Sequence, residues 1–144
     1  MNKHLLSSAA LCSFLVLAAG SDPSKTGGTQ LGNQMDAYAI EYLDNNGMLE
    51  AGESVVVYYD ATIQLDGTEA AYVTDQRVCY HKASRNSCID LADIQSVEAS
   101  DGGAIGDIID IISVHGDRLR IEVAPLNGGD LFLSELERAW SMAQ

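Results

Sequence analysis

From Glu53 onward, apolar and polar positions alternate with a period of two. Val55, Val57, Tyr59, Ala61 and Ile63 fall on one side of an extended strand, with Val56, Tyr58 and Thr62 on the other. Asp66-Gly67 supplies hairpin chemistry, and strands follow at 70–74 and 77–81, with Asp75 and Gln76 between them. Segments 88–91 and 94–99 continue the series. The β-branched run 108–114 turns at His115-Gly116-Asp117 and returns along 118–124. Two stretches follow the helical period instead. Met35, Tyr38, Ala39 and Tyr42 predict a short helix over 34–43, ended by Asp44-Asn45-Asn46-Gly47. At the C-terminus, Asp130 stands as N-cap before a helix over 131–142, with Leu133, Leu136 and Trp140 on its apolar face and Leu131 and Ala139 flanking.

About seven antiparallel strands closed by a C-terminal helix, with a short N-terminal helix, make a mostly β fold, a small barrel or sandwich. Glycine and small polar residues set two segments apart. Asp101-Gly102-Gly103-Ala104-Ile105-Gly106 has the composition of a mobile loop, and Asn127-Gly128-Gly129 forms a second. Residues 21–33, rich in Gly, Ser, Thr and Asn, read as a flexible tether to a single domain at 34–144.

Two segments resemble a known family. Tyr72-Val73-Thr74-Asp75-Gln76-Arg77-Val78 and Ile89-Asp90-Leu91-Ala92-Asp93-Ile94-Gln95-Ser96-Val97 are similar to the bacterial pleckstrin-homology-like (PH-like) domain. There a Thr-Asp turn leads into an Arg-Val strand, and a Leu, Asp and Ile step leads into the next. The resemblance runs from Glu53 to about Trp140 and implies a PH-like β-barrel or sandwich. It carries no chemistry, so it implies little about function.

The first twenty residues restrict where the chain works. A polar start with Lys3, an apolar stretch from Leu5 to Ala19 and small residues before Ser21 make a signal peptide over 1–20. The apolar stretch is shorter than the roughly 20 residues that span a bilayer. Leu17-Ala18-Ala19-Gly20 resembles a lipobox, but Ser21 stands where a lipidated cysteine would be. The expected location is therefore the periplasm, with membrane attachment only through a lipid anchor in a native form. Loss of Lys3 takes the net charge from -13 to -14. That charge opposes nucleic acid and anionic lipid and favours a basic partner.

In an oxidising compartment, Cys79 and Cys88 read as a disulfide across a hairpin tipped by 82–86, with two buried free thiols as the alternative. No nucleophile elbow, phosphate loop or zinc spacing is present, and His81 and His115 read as surface or hairpin-tip histidines. The acidic segment 44–53 fails the calcium-loop spacing, with glycine at its fourth position and Met48 at its fifth. No enzyme, metal or cofactor is expected.

What remains is a binding module. Its character resembles the periplasmic immunity proteins that protect bacteria from type VI secretion muramidase effectors. That resemblance implies a monomer that inserts loops into the substrate cleft of a secreted cell-wall hydrolase, in a 1:1 complex. The candidate contacts are Ser100, Asp101, Gly102, Gly103 and Asp107, with Tyr80, His81 and Asn127 beside them. An envelope-assembly lipoprotein that docks without inhibiting is the second reading. A glycan hydrolase with an unrecognised acid pair is the third.

Overall fold

Eight strands in two antiparallel sheets carry the alternation into three dimensions, in a computed structural model that describes residues 24–144. The signal-peptide and lipobox readings, and residues 21–23 of the tether, lie outside the described residues. The first sheet runs in the order β1 (Thr29–Leu31), β2 (Val55–Asp60), β3 (Glu69–Thr74), β4 (Arg77–Lys82), β5 (Arg85–Asp90). The second comprises β6 (Ile94–Asp101), β7 (Asp107–Ser113) and β8 (Arg118–Val123). Helix α1 (Ala37–Asn45) and helix α2 (Gly129–Ala143) complete the fold. The sheets form a sandwich and do not close into a barrel.

The central strands are buried on both faces. Val57, Tyr59, Ala71, Val73, Val78 and Ile89 face the second sheet and α2, meeting Ile109, Ile111, Ile121 and Phe132. The alternate residues Tyr58, Ala70, Tyr72 and Cys79 meet Ala39 and Leu43 of α1, together with Met48. The result is three layers, with α1 outside the first sheet. In strand register Cys79 pairs with Cys88, and the two form a disulfide.

The tether expected over 21–33 is corrected within the described residues. Thr29–Leu31 pairs with β2 as an eighth strand, Thr29 opposite Tyr59 and Leu31 opposite Val57. Asp36 holds the segment down, its carboxylate accepting from the Thr26 N–H at 2.8 Å and from Gln30 Nε2 at 2.8 Å. Lys25 Nζ reaches the Leu65 carbonyl at 2.8 Å. Glycine at 32 serves close approach here: a Cβ there would sit 1.8 Å from the Val55 carbonyl oxygen.

Boundaries also differ from the sequence pattern: β5 starts at Arg85, ahead of the strand expected from Cys88, which narrows the hairpin tip from 82–86 to Ala83 and Ser84. Helix α1 begins at Ala37, because Met35 and Asp36 are extended. β2 stops at Asp60, so Ile63 is not in the strand. The Asp60 carboxylate accepts from the Thr62 N–H at 2.7 Å and the Gly67 N–H at 2.8 Å, which curls the chain out of the sheet. Helix α2 is preceded by Gly128 at φ 83°, not capped by Asp130, which lies exposed in the first turn.

The β4–β5 hairpin turns through Ala83 and Ser84, both left-handed at φ 51° and 62°. Lys82 pairs with Arg85, so this is a two-residue turn with both central residues at positive φ, a geometry that favours Asn-Gly. Replacing Ala83→Asn together with Ser84→Gly is expected to stabilise the fold by about 1–2 kcal/mol. An upward shift of the urea midpoint checks it, and an unchanged midpoint would contradict the turn assignment.

Candidate functional site

The loops on one end of the sandwich bring part of the expected site together. β6 ends and β7 begins in register, Asp101 opposite Asp107 and Ser100 opposite Ile108. The first turn of α2 lies against them, so close that a Cβ on Gly129 would fall 2.0 Å from Asp107 Oδ2. Only glycine admits the carboxylate there. Between these elements lies a notch of about 190 Å³, lined by Ala99, Ser100, Asp101, Asp107, Ile109, Gly129, Asp130 and Leu133. Ala99 and Leu133 give it apolar surface above the buried Ile109, and three carboxylates give it charge. Among the described residues, no Lys, Arg or His lies within ion-pair distance of Asp101, Asp107 or Asp130.

The glycine segment is a closed turn, where composition suggested a mobile loop. The Gly102 N–H donates to the Gly106 carbonyl at 2.8 Å, and the Gly103 N–H to Asp101 Oδ1 at 2.7 Å. A short 3-10 turn follows at Gly103–Ile105. Asn127 contributes backbone, its carbonyl accepting from the Thr29 N–H at 2.8 Å.

Tyr80 and His81 do not line the notch. As successive residues of β4 they face opposite sides of the first sheet. Tyr80 packs against the inter-sheet core, donates its hydroxyl to Glu69 and lines a separate depression with Lys82, Ala83, Arg85 and Ser87. Burial, then the adjacent Glu69, pushes the Tyr80 phenol far above its ordinary value. His81 faces α1 and is 2% exposed, so the surface-histidine expectation is corrected. Its Nε2 lies 3.1 Å from the Tyr42 hydroxyl, with the two rings tilted at 59°, and its buried Nδ1 has no partner. His81 lies two positions after Cys79 on the same face of β4, and α1 covers that face.

Among the described residues, no group of three or more His, Cys, Asp or Glu side chains is arranged to hold a metal ion. Nor is any helix long and apolar enough to cross a membrane.

No family model and no curated protein matches the chain. Among solved structures, the C-terminal domain of an unknown protein from Leishmania infantum is similar over 70% of this chain and 93% of that domain, at 12% identity and a TM-score of 0.45. A likeness that distant says nothing about activity.

Burial lowers the His81 pKa below its ordinary value, because an imidazolium under α1 would be desolvated. The unfolded chain therefore takes up a proton before the folded one does. Stability is whole above the unfolded pKa near 6.5 and falls as the pH drops through and below it. The carboxylates with lowered pKa values act further down, below the ordinary carboxylate range. Urea midpoints are expected to fall between pH 7.5 and 5.5 in the wild type and to fall less in His81→Phe. Equal slopes in the two proteins would remove His81 as the cause.

Proposed function

We propose that this chain is an exported protein-binding module that occludes a basic partner, in the manner of a periplasmic immunity protein against a secreted cell-wall muramidase. The observation that supports it is the notch: three carboxylates without ion-pair partners surround an apolar floor at the converging ends of β6, β7 and α2. Such a recess suits the side chain of a lysine or arginine, whose aliphatic stem lies along Ala99 and Leu133 while its charge meets the acids. The net charge of -14 left after loss of residues 1–20 would speed encounter with a cationic enzyme, and buried contacts would set the lifetime of the complex.

The geometry changes the mechanism first suggested by the sequence. Ser100 and Asp101 lie at the rim of a recess closed by a tight turn, so the acids receive a partner's cation instead of entering its catalytic cleft. That arrangement avoids repulsion between an incoming carboxylate and the glutamate of a muramidase. Occlusion then comes from the bulk of the domain seated across the cleft.

The test uses protein lacking residues 1–20, a muramidase inhibition assay, and binding measured at two salt concentrations. Inhibition that weakens at least tenfold in Asp101→Lys/Asp130→Lys is expected, since both residues are exposed and their loss spares the core. Binding without inhibition would favour a docking role in envelope assembly. Indifference to the charge reversal would sink the notch as the contact.

A further inference from the structure

Three apolar side chains stand in water at the same end of the molecule as the notch. Ile63, in the β2–β3 loop, is 102% exposed; Leu126, in the β8–α2 loop, is 105% exposed; and Ile105, in the β6–β7 turn, is 54% exposed. The three loops adjoin one another. Lys25 holds the Leu65 carbonyl of the first, and the next residues of that N-terminal segment lead to Thr29, which donates to Asn127 beside Leu126. Gly106, next to Ile105, packs against Val123 and Pro125 so closely that a Cβ would fall 2.1 Å from the Val123 carbonyl oxygen.

The backbone at two of these loops is as unfavourable as the exposure. Leu126 and Leu65 are left-handed, at φ 66° and 52°. Glycine or asparagine suits such positions better on conformational grounds, and a polar residue suits a fully hydrated tip better on solvation grounds. Leu126 fails both criteria at once. Nothing in the packing of the free domain offsets that, since its side chain is entirely in solvent. Strain and exposure that coincide at one residue mark a position shaped for contact outside the domain.

The charge around the tips selects the kind of contact. Asp66 lies in the same loop as Ile63, and Asp101, Asp107 and Asp130 surround the notch. Lys25, whose ammonium reaches the first of these loops, is engaged with the Gln64 and Leu65 carbonyls and lies over the Tyr38 ring. Anionic lipid would be repelled from such an end, whereas a basic protein surface would be drawn to it.

We infer that Ile63, Ile105 and Leu126, together with the acidic notch, form one docking end that binds a protein segment combining lysine or arginine with large apolar side chains. This deepens the binding-module reading and rests on it, but it does not require the partner to be a hydrolase. The apolar tips supply the desolvated contacts that hold the complex, and the carboxylates supply approach and orientation.

The experiment selects random dodecapeptides displayed on phage against the immobilised wild-type protein, then measures the affinities of the enriched peptides by fluorescence anisotropy. Enriched sequences are expected to pair Lys or Arg with Leu, Ile, Phe or Trp. Their affinity is expected to fall at least tenfold for Leu126→Gly and for Ile63→Ser. Leu126→Gly is also expected to keep or raise the urea midpoint, because glycine accepts the left-handed backbone; a residue with only a structural role would not gain stability while losing affinity. Leu126→Asn serves as a second variant with the same expectation. No enrichment, acidic enriched peptides, or equal affinity for the variants would overturn the inference. So would tighter binding to phosphatidylglycerol-containing vesicles than to any peptide. Peptide binding without muramidase inhibition would leave the docking end standing and remove the hydrolase as its target.

Discussion

Arg77→Met is expected to destabilise the protein by about 3–5 kcal/mol, because it leaves a buried carboxylate without its counterion. Glu53 is 9% exposed. Its Oε1 accepts from Arg77 Nε at 2.8 Å and Thr74 Oγ1 at 2.6 Å, and its Oε2 from Arg77 Nη2 at 3.0 Å and the Glu50 N–H at 2.7 Å. Arg77 Nη2 also donates to the Met48 carbonyl at 3.0 Å. The pair therefore fastens the segment after α1 onto the β3–β4 turn, and Met48 closes the core beneath that helix.

Burial alone would raise the Glu53 pKa, but hydrogen bonds from Arg77, Thr74 and Glu50 outweigh it and hold the carboxyl below its ordinary value. The stability this contributes is present above the ordinary carboxylate range and is lost as the pH falls through the folded value. In Arg77→Met the balance reverses, and protonation of Glu53 should recover part of the loss in mild acid. Glu53→Gln/Arg77→Met should cost much less than Arg77→Met alone, since no charge is stranded. Urea denaturation of the two single variants and the double variant measures the coupling. Additive costs would mean that the ion pair does not fasten the segment.

The features legible in the sequence are those set by local periodicity. Alternation, β-branched runs and the turn residues between them gave the seven strands from β2 to β8, and hairpin register set Cys79 opposite Cys88. The Thr74-Asp75 step quoted for the PH-like resemblance has a local physical role: Thr74 Oγ1 accepts from the Gln76 and Arg77 N–H groups, and Asp75 Oδ1 from the Ser54 N–H. Leu91 and Ile94, from the second segment, are core residues. β1 escaped notice because a glycine needed for close approach looks, by composition, like a glycine that confers flexibility. The Glu53–Arg77 pair escaped because neither periodicity nor spacing links residues 24 positions apart. The notch was half legible. Its two loops stood out by composition, but the contact between Asp107 and Gly129 depends on how α2 crosses the mouth of the sandwich.

The seating of α2 yields the second large effect: Phe132→Ala is expected to cost about 3–5 kcal/mol, whereas Leu131→Ala should cost less than about 1 kcal/mol. The spacing in the sequence set Leu133, Leu136 and Trp140 at the centre of the apolar face. In the structure the fully covered stripe is Phe132, Leu136 and Ala139, while Leu133 and Trp140 are half-buried and Leu131 is 37% exposed. At about 100° per residue the two faces share Leu136 but their centres lie roughly 65° apart, so the helix seats rotated from the face the spacing predicts. The shift follows from the start of the helix. Gly128 turns the chain left-handed, Gly129 presses against Asp107, and the Phe132 N–H bonds the Gly128 carbonyl at 3.1 Å, which sends Phe132 inward between the sheets. Removing that ring leaves a cavity in the core it shares with both sheets, which the packed strands cannot collapse to fill. Thermal or urea unfolding of the two alanine variants checks this seating. A larger loss at Leu131 than at Phe132 would contradict it, and the notch that depends on it would have to be redrawn.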